Sequence, residues 1–404
     1  MFRILGCITI GLFLSVITGC SPMMKTEIKF SLGKYEEVIP MYQQHLEANP
    51  DAVQARSRLG VALLKTNRIE ESITEFEKVL VKEPGDPYTI LHLGLAYLKQ
   101  RSFDKAIQTW RIYRNKEMPI VEREIKRQIT IVSMVRAQDE AIKALEAEKK
   151  IDAKLINPNT IAVGYFKDLS PDKSFQAFQK GLNAMLITDI SKIKNLVVVE
   201  RKQIQALLEE MKMGQTGIVD EKTAPRVGKL LRAENIVTGT LSQGSIKAAV
   251  AIASASTADI KGVASVSVDK EKFFELSPVI INNIAKILKI ELSRKEIKDI
   301  GITHTKSYKA FILYGNALDA LDRGDWQEAR NSCELALREE PTFISASDCR
   351  DSAPGKFAPS IETIKRLDME DIISSVEASL DNAFIEQAKA KKEEEASQGG
   401  GGGH

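Results

Sequence analysis

Three prolines set the frame of this chain. Asn49-Pro50, Glu83-Pro84 and Met118-Pro119 stand 34 and then 35 residues apart. Inside that frame Leu59-Gly60 is repeated as Leu93-Gly94, Leu63 is answered by Tyr97, Ser72 by Ala106 and Phe76 by Trp110. A fixed period of this length marks structural units whose apolar face is too large to cover alone, so neighbours stack. Small residues fall where the two helices of a unit cross, and large ones fill the groove between them. Proline lacks an N–H and clashes with the preceding turn, so it ends the second helix.

These positions match the tetratricopeptide pattern, an α-solenoid of helical hairpins. Residues 20–118 are expected to form the array, with two full units and the second helix of an earlier one, Gly33 to Pro50. Leu59, Gly60, Leu63, Phe76, Leu93, Gly94, Tyr97, Ala106 and Trp110 are the expected groove and packing residues. The stack leaves a concave surface suited to a peptide or a partner helix. A connecting helix is expected in 119–157, with Ile125, Ile129, Val132, Val135 and Ile142 at helical spacing and charged residues between them.

The amino terminus bears on location. Met1-Phe2-Arg3 is a short basic tip, Ile4 to Ile17 is an apolar run, and Thr18-Gly19-Cys20 supplies small residues at a cleavage point. Val16-Ile17-Thr18-Gly19-Cys20 resembles a bacterial lipobox, which implies that residues 1–19 are removed and that Cys20 carries acyl chains. Each buried CH₂ contributes roughly 0.8 kcal/mol, so several chains hold far more firmly than one. Ser21 follows the cysteine, which points to the outer membrane with the body in the periplasm.

From Thr160 the apolar period shortens. Ile161 to Phe166, Leu196 to Val199 and Asn235 to Leu241 read as strands, and Phe175 to Ile190, Ile204 to Met211 and Thr223 to Leu231 as helices. Ile246 to Ala255 and Ile260 to Val268 alternate around Thr257-Ala258-Asp259 as a hairpin, and Phe273 to Leu292 returns to helix. This order gives an α/β domain with a mixed sheet over 158–292. Val199-Glu200-Arg201, Gly214-Gln215-Thr216-Gly217-Ile218-Val219-Asp220, Thr223-Ala224-Pro225-Arg226-Val227-Gly228-Lys229-Leu230-Leu231 and Val237-Thr238-Gly239-Thr240 occur in that order. Together they resemble the curli-assembly CsgG family.

The resemblance implies a periplasmic assembly or binding module on an outer-membrane lipoprotein. Alternatives within it are an oligomeric export component and an activator of peptidoglycan synthases. A membrane strand needs about 9–11 alternating residues with an apolar outer band and aromatic girdles. Residues 246–268 hold the only hairpin signal, rich in Ala and Ser and without Phe, Tyr or Trp, so ordinary sheet is expected there.

No grouping of residues suggests catalysis, a metal or a cofactor. Glu200 and Arg201 read as a helix start and an ion-pair partner. Gly214 to Gly217 lacks the Lys-Ser/Thr that a phosphate loop requires. His45, His92, His304 and His404 are scattered. A net charge of +2, spread over both signs, gives no nucleic-acid footprint. The expected partners are envelope proteins and the membrane, with self-association left open.

The carboxyl-terminal third, 303–393, reads as further tetratricopeptide-like helices. Tyr308 to Pro341 makes one unit around the Gly324-Asp325-Trp326 turn, with Ala329, Cys333, Ala336 and Pro341 at the pattern positions. Asp368 to Lys391 is an amphipathic helix, and 394–404 is expected to be a disordered glycine-rich tail. Cys333 and Cys349 are either a disulfide closing a sixteen-residue loop, a contribution of roughly 3 kcal/mol in the chain-entropy model, or two separate thiols. The sum of these readings is a non-enzymatic lipoprotein scaffold.

Overall fold

The structure is a computed structural model that describes residues 22–171, 175–212, 219–242, 246–302 and 304–399. It divides into two compact units, residues 1–132 with 380–404 and residues 133–379. The boundary falls inside the expected connecting helix, and the last helix is shared out in the same way.

In the first unit, α1 (Pro22–Ser31) pairs with α2 (Tyr35–Ala48), α3 (Val53–Lys65) with α4 (Ile69–Lys82), and α5 (Pro87–Lys99) with α6 (Phe103–Arg111). Helix α7 (Pro119–Glu146) follows, with its proline in the first turn, where the missing N–H costs nothing. Helix α1 completes the hairpin of which the sequence showed only α2. The second helices end at Ala48 and Lys82, just ahead of Pro50 and Pro84.

The repeat persists in the backbone. Each intra-hairpin turn places one residue in the left-handed region: Gly33, Asn67 and Arg101, at 34-residue spacing. The next N–H closes each turn onto the fifth carbonyl before it: Lys34 on Lys29, Arg68 on Leu63 and Ser102 on Tyr97, at 2.8 to 3.0 Å. Glycine adopts this conformation freely and asparagine tolerates it, whereas arginine pays roughly 1–2 kcal/mol. Arg101→Asn is therefore expected to raise stability by about 0.5–1 kcal/mol, read as an upward shift of the thermal midpoint. An unchanged or lowered midpoint would show that the arginine side chain, which lies over the Phe103 ring, outweighs the backbone cost.

Close packing explains the glycines of the pattern. A Cβ on Gly60 would lie 2.5 Å from the Phe76 ring, and one on Gly94 would lie 2.0 Å from Trp110 Nε1. The Ser72 hydroxyl donates to the Gly60 carbonyl at 2.8 Å, and Trp110 Nε1 donates to the Leu91 carbonyl at 3.1 Å.

The second unit is a three-layer α/β/α body with helices added. Strands β1 (Thr160–Val163), β2 (Lys167–Asp168), β3 (Val197–Val198), β4 (Asn235–Ser242), β5 (Ile246–Ser254) and β6 (Ile260–Val268) form one mixed sheet in the order β3-β1-β4-β5-β6, with β2 also on β4. β1 runs parallel to β3 and β4, while β4–β5 and β5–β6 are antiparallel. Strand side chains alternate between faces. Ile161, Val163, Val237 and Ile252 face α8 (Gln176–Ile190) and α11 (Leu276–Leu288). Ala162, Ile236 and Ala253 face α9 (Arg201–Glu210) and α10 (Ala224–Leu231), together with Ala141 of α7.

The short helix α12 (Arg294–Asp299) leads to α13 (Tyr308–Arg323), α14 (Trp326–Glu339) and α15 (Ile344–Ser352), then α16 (Ile361–Lys365) and α17 (Met369–Gly399). Asp325 N–H closes on the Ala320 carbonyl at 2.8 Å and Gly324 is left-handed, the same turn as in the first unit. Helix α13 lies directly on α8 by way of glycines. A Cβ on Gly315 would lie 1.9 Å from the Ala177 carbonyl oxygen, and Gly181 receives the Phe311 ring. The helical structure of α17 continues to Gly399, into the stretch 394–399 expected to be disordered. Lys391, Lys392 and Glu393 to Glu395 are strong helix formers, and Lys391 and Glu395 stand one turn apart. Residues 400–404 lie outside the described residues.

Candidate protein-binding face of the repeats

Across the first helices of the three hairpins runs a row of aromatic rings with an arginine at its centre. Arg58 of α3 lies 4.9 Å from the Phe30 ring of α1 and 5.1 Å from the Tyr88 ring of α5. Its Nη1 donates to the Tyr88 hydroxyl at 3.0 Å, and its Nε stands 3.6 Å from Glu27. Glu27 also accepts from the Tyr42 hydroxyl at 2.8 Å. His92 extends the row: its ring lies 4.3 Å from that of Tyr88, and Nδ1 bonds the Tyr88 carbonyl at 2.8 Å. Burial pushes the His92 pKa down to about 4, so the ring is neutral at pH 7. Burial likewise raises the Tyr42 and Tyr88 hydroxyls, which stay protonated.

Phe30, Arg58 and Tyr88 are half-buried. A guanidinium held between two rings retains N–H groups for a partner carbonyl or carboxylate and offers stacking surface beside them. Such a row suits recognition of a polypeptide, since no member is an activated nucleophile or an acid–base pair.

The pattern residues serve this face from beneath. Leu59, Leu63, Phe76, Leu93, Tyr97, Ala106 and Trp110 are buried, with Gly60 and Gly94 between the helices. They set helix spacing, and the residues that reach the surface are their neighbours. Sequence reasoning missed Phe30, Arg58 and Tyr88 because they do not share the 34-residue spacing. Cys20 and the rest of 1–21 lie outside the described residues, as does Gly214 to Gly217.

Cys333 and Cys349 are both buried and both free. Packing of α14 on α15 brings them together, and the hydrogen bond that the Cys333 thiol makes with Cys349, together with burial, pushes the Cys333 pKa up.

In the second unit Glu200 and Gln203 form a capping box at the start of α9, and Glu200 accepts from Arg136 at 2.8 Å. Arg201 donates to both oxygens of Asp322 on α13, at 2.6 and 2.8 Å, and to the Tyr165 hydroxyl at 3.1 Å. Lys180 reaches Asp322 at 2.8 Å and lies over the Tyr165 ring at 4.3 Å. Burial alone would raise the Asp322 pKa, but Arg201 and Lys180 hold it below the usual carboxylate range. This cluster is internal and ties α13 to the α/β body.

Asp189 is fully buried and accepts from Ser277 at 2.7 Å, Lys192 at 2.8 Å, Gly301 N–H at 3.0 Å and His304 at 2.9 Å. Burial opposes ionisation, yet these donors bring its pKa down to about 2. A carboxylate whose pKa is lower folded than unfolded stabilises fully above the unfolded value near 4 and less as pH falls toward 2. The expected contribution is about 2 kcal/mol. Acid unfolding of Asp189→Asn should therefore lose a component between pH 4 and pH 2 that the parent shows. Identical acid profiles would contradict the assignment.

Comparison with known families falls on these two regions. Residues 141–248 match the family model of the curli production assembly/transport component CsgG, and residues 29–88 match that of the tetratricopeptide repeat. The central region is CsgG-like, preceded by tetratricopeptide repeats. The CsgG match begins in α7 and ends within β5, so the β6 strand and α11 complete the sheet and its cover beyond it. Among solved structures, the crystal structure of the P58(IPK) tetratricopeptide domain is similar at 14% identity, covering 92% of this chain and 98% of that one, with a TM-score of 0.28. No curated protein matches this chain. Both matched families point to protein interaction and assembly, and among the described residues no helix is long and apolar enough to cross a membrane.

Proposed function

We propose that this chain is a non-enzymatic lipoprotein scaffold, tethered through an acylated Cys20 to the outer membrane, with its body in the periplasm. Its repeats hold an envelope protein while the CsgG-like domain joins an assembly or secretion apparatus. The Phe30–Arg58–Tyr88 row, crossing three successive hairpins, is the observation that carries this reading. Two further observations support a scaffold over an export pore. β5 is bonded to both β4 and β6, and α11 covers β6, so this hairpin is occupied as part of the sheet.

Two measurements test the proposal. Cells given radiolabelled palmitate should incorporate label into the parent and not into Cys20→Ala, and only the parent should fractionate with outer membrane. A protein captured by the parent from detergent-solubilised envelope should be lost, at least tenfold, with Arg58→Glu. An unlabelled parent would overturn the tether, and capture insensitive to Arg58→Glu would overturn the assigned face.

A further inference from the structure

A cleft of about 200 Å³ lies at the end of the repeat array, between α6, the segment after it and α7, all within the first unit. Its floor is apolar, formed by Trp110, Tyr113, Ile125 and Ile129. The first three are at most 2% exposed, so the floor is held rigidly by the core beneath it. An apolar cavity of roughly 150 Å³ accepts a benzene ring, so this cleft is of a size for one aromatic or branched aliphatic side chain. Its rim carries Arg111, Arg114 and Lys126, all exposed, against a single carboxylate, Glu122. That carboxylate already accepts from the Asn115 N–H at 3.2 Å. Arg114 is turned inward at one nitrogen, donating to the Arg111 and Tyr113 carbonyls.

We propose that this cleft is a docking site for a partner segment in which one bulky apolar side chain is flanked by acidic residues. The apolar side chain fills the floor, and its acidic neighbours meet the three cations of the rim. Charge complementarity selects this occupant: a basic segment meets three like charges, and a neutral one forgoes three attractive contacts. The row centred on Arg58 contributes stacking further along the array, and the cleft adds a chemical preference at its end. This inference rests on the reading of the repeats as protein-binding.

The test uses the full mature-length chain with Cys20→Ser to keep it soluble, and three blocked heptapeptides carrying a fluorophore. The first has phenylalanine between two pairs of aspartates, the second has lysines in place of the aspartates, and the third has alanine in place of the phenylalanine. Anisotropy is expected to show the first binding at least tenfold tighter than either other, with affinity falling as salt is raised. The double charge reversal Arg111→Glu with Lys126→Glu alters only exposed side chains, and it should abolish that preference or invert it toward the lysine peptide. Equal affinity for the three peptides, absence of binding at millimolar concentration, or insensitivity to the reversal would overturn the proposal. Concentration-dependent self-association abolished by Lys126→Glu would overturn it in favour of a second copy of the chain. If the peptides fail while Arg58→Glu still abolishes partner capture, the cleft proposal falls and the scaffold reading stands. Failure of both removes the scaffold reading as well.

Discussion

Gly315→Val is expected to destabilise the protein by more than about 3 kcal/mol, at or above the top of the range for overpacked cores. Even the first added carbon would sit 1.9 Å from the Ala177 carbonyl oxygen and 2.6 Å from its carbon. Both are backbone atoms of α8 and cannot rotate away, so α13 must lift. Lifting it would also draw Phe311 from the core cluster that it shares with Phe178 and Phe273. Urea unfolding should show the midpoint falling by about 1 M or more, given typical slopes of 1–3 kcal/mol per molar. A midpoint within 0.2 M of the parent would mean that α13 does not rest on α8 in solution.

The second large effect concerns Asp322. Its carboxylate is the shared acceptor for Arg201 and Lys180, whose side chains are 11% and 4% exposed. Asp322→Ala leaves buried Arg201 without its carboxylate and Lys180 with only the more distant Asp319 at 3.9 Å, and removing one partner of a buried pair typically costs about 3–5 kcal/mol. Replacing the whole cluster with apolar residues (Asp322→Leu, Arg201→Met, Lys180→Met) is expected to be markedly less destabilising than the single change, because no charge is stranded. Thermal and urea unfolding of both proteins measure the difference. A single variant as stable as the parent, or a triple variant worse than the single, would contradict the internal ion-pair assignment.

These two sites mark where sequence reasoning ran out. The 34-residue frame was legible because its signals are local and repeated: a glycine, an aromatic residue and a proline at fixed offsets. Helix α1 was missed because Thr26 and Tyr42 occupy the positions filled by Gly60 and Phe76 one repeat later, and threonine does not announce a close helix crossing. The longer strands were readable from their short apolar runs, and the hairpin from the Thr257 to Asp259 turn, since both are short-range features; the order of the strands in the sheet was not. The pairing of Gly315 with Ala177, or of Asp322 with Arg201, joins residues more than a hundred positions apart, and no local pattern encodes it. The proposed binding face was hidden for a related reason. Arg58 in a helix reads as a solvated charge until the fold brings rings from two other helices against it.

The central claim is that the half-buried row across the three hairpins of the first unit grips another protein in the cell. Gln54 is exposed and one turn before Arg58 on α3, so a photoreactive residue placed there looks out from the same side. Irradiation of intact cells should yield one dominant covalent adduct at this position, absent when Arg58→Glu is combined with it, and none from Lys78 on the opposite helix of the hairpin. A smear of unrelated adducts, or an adduct pattern unchanged by Arg58→Glu, would contradict the account.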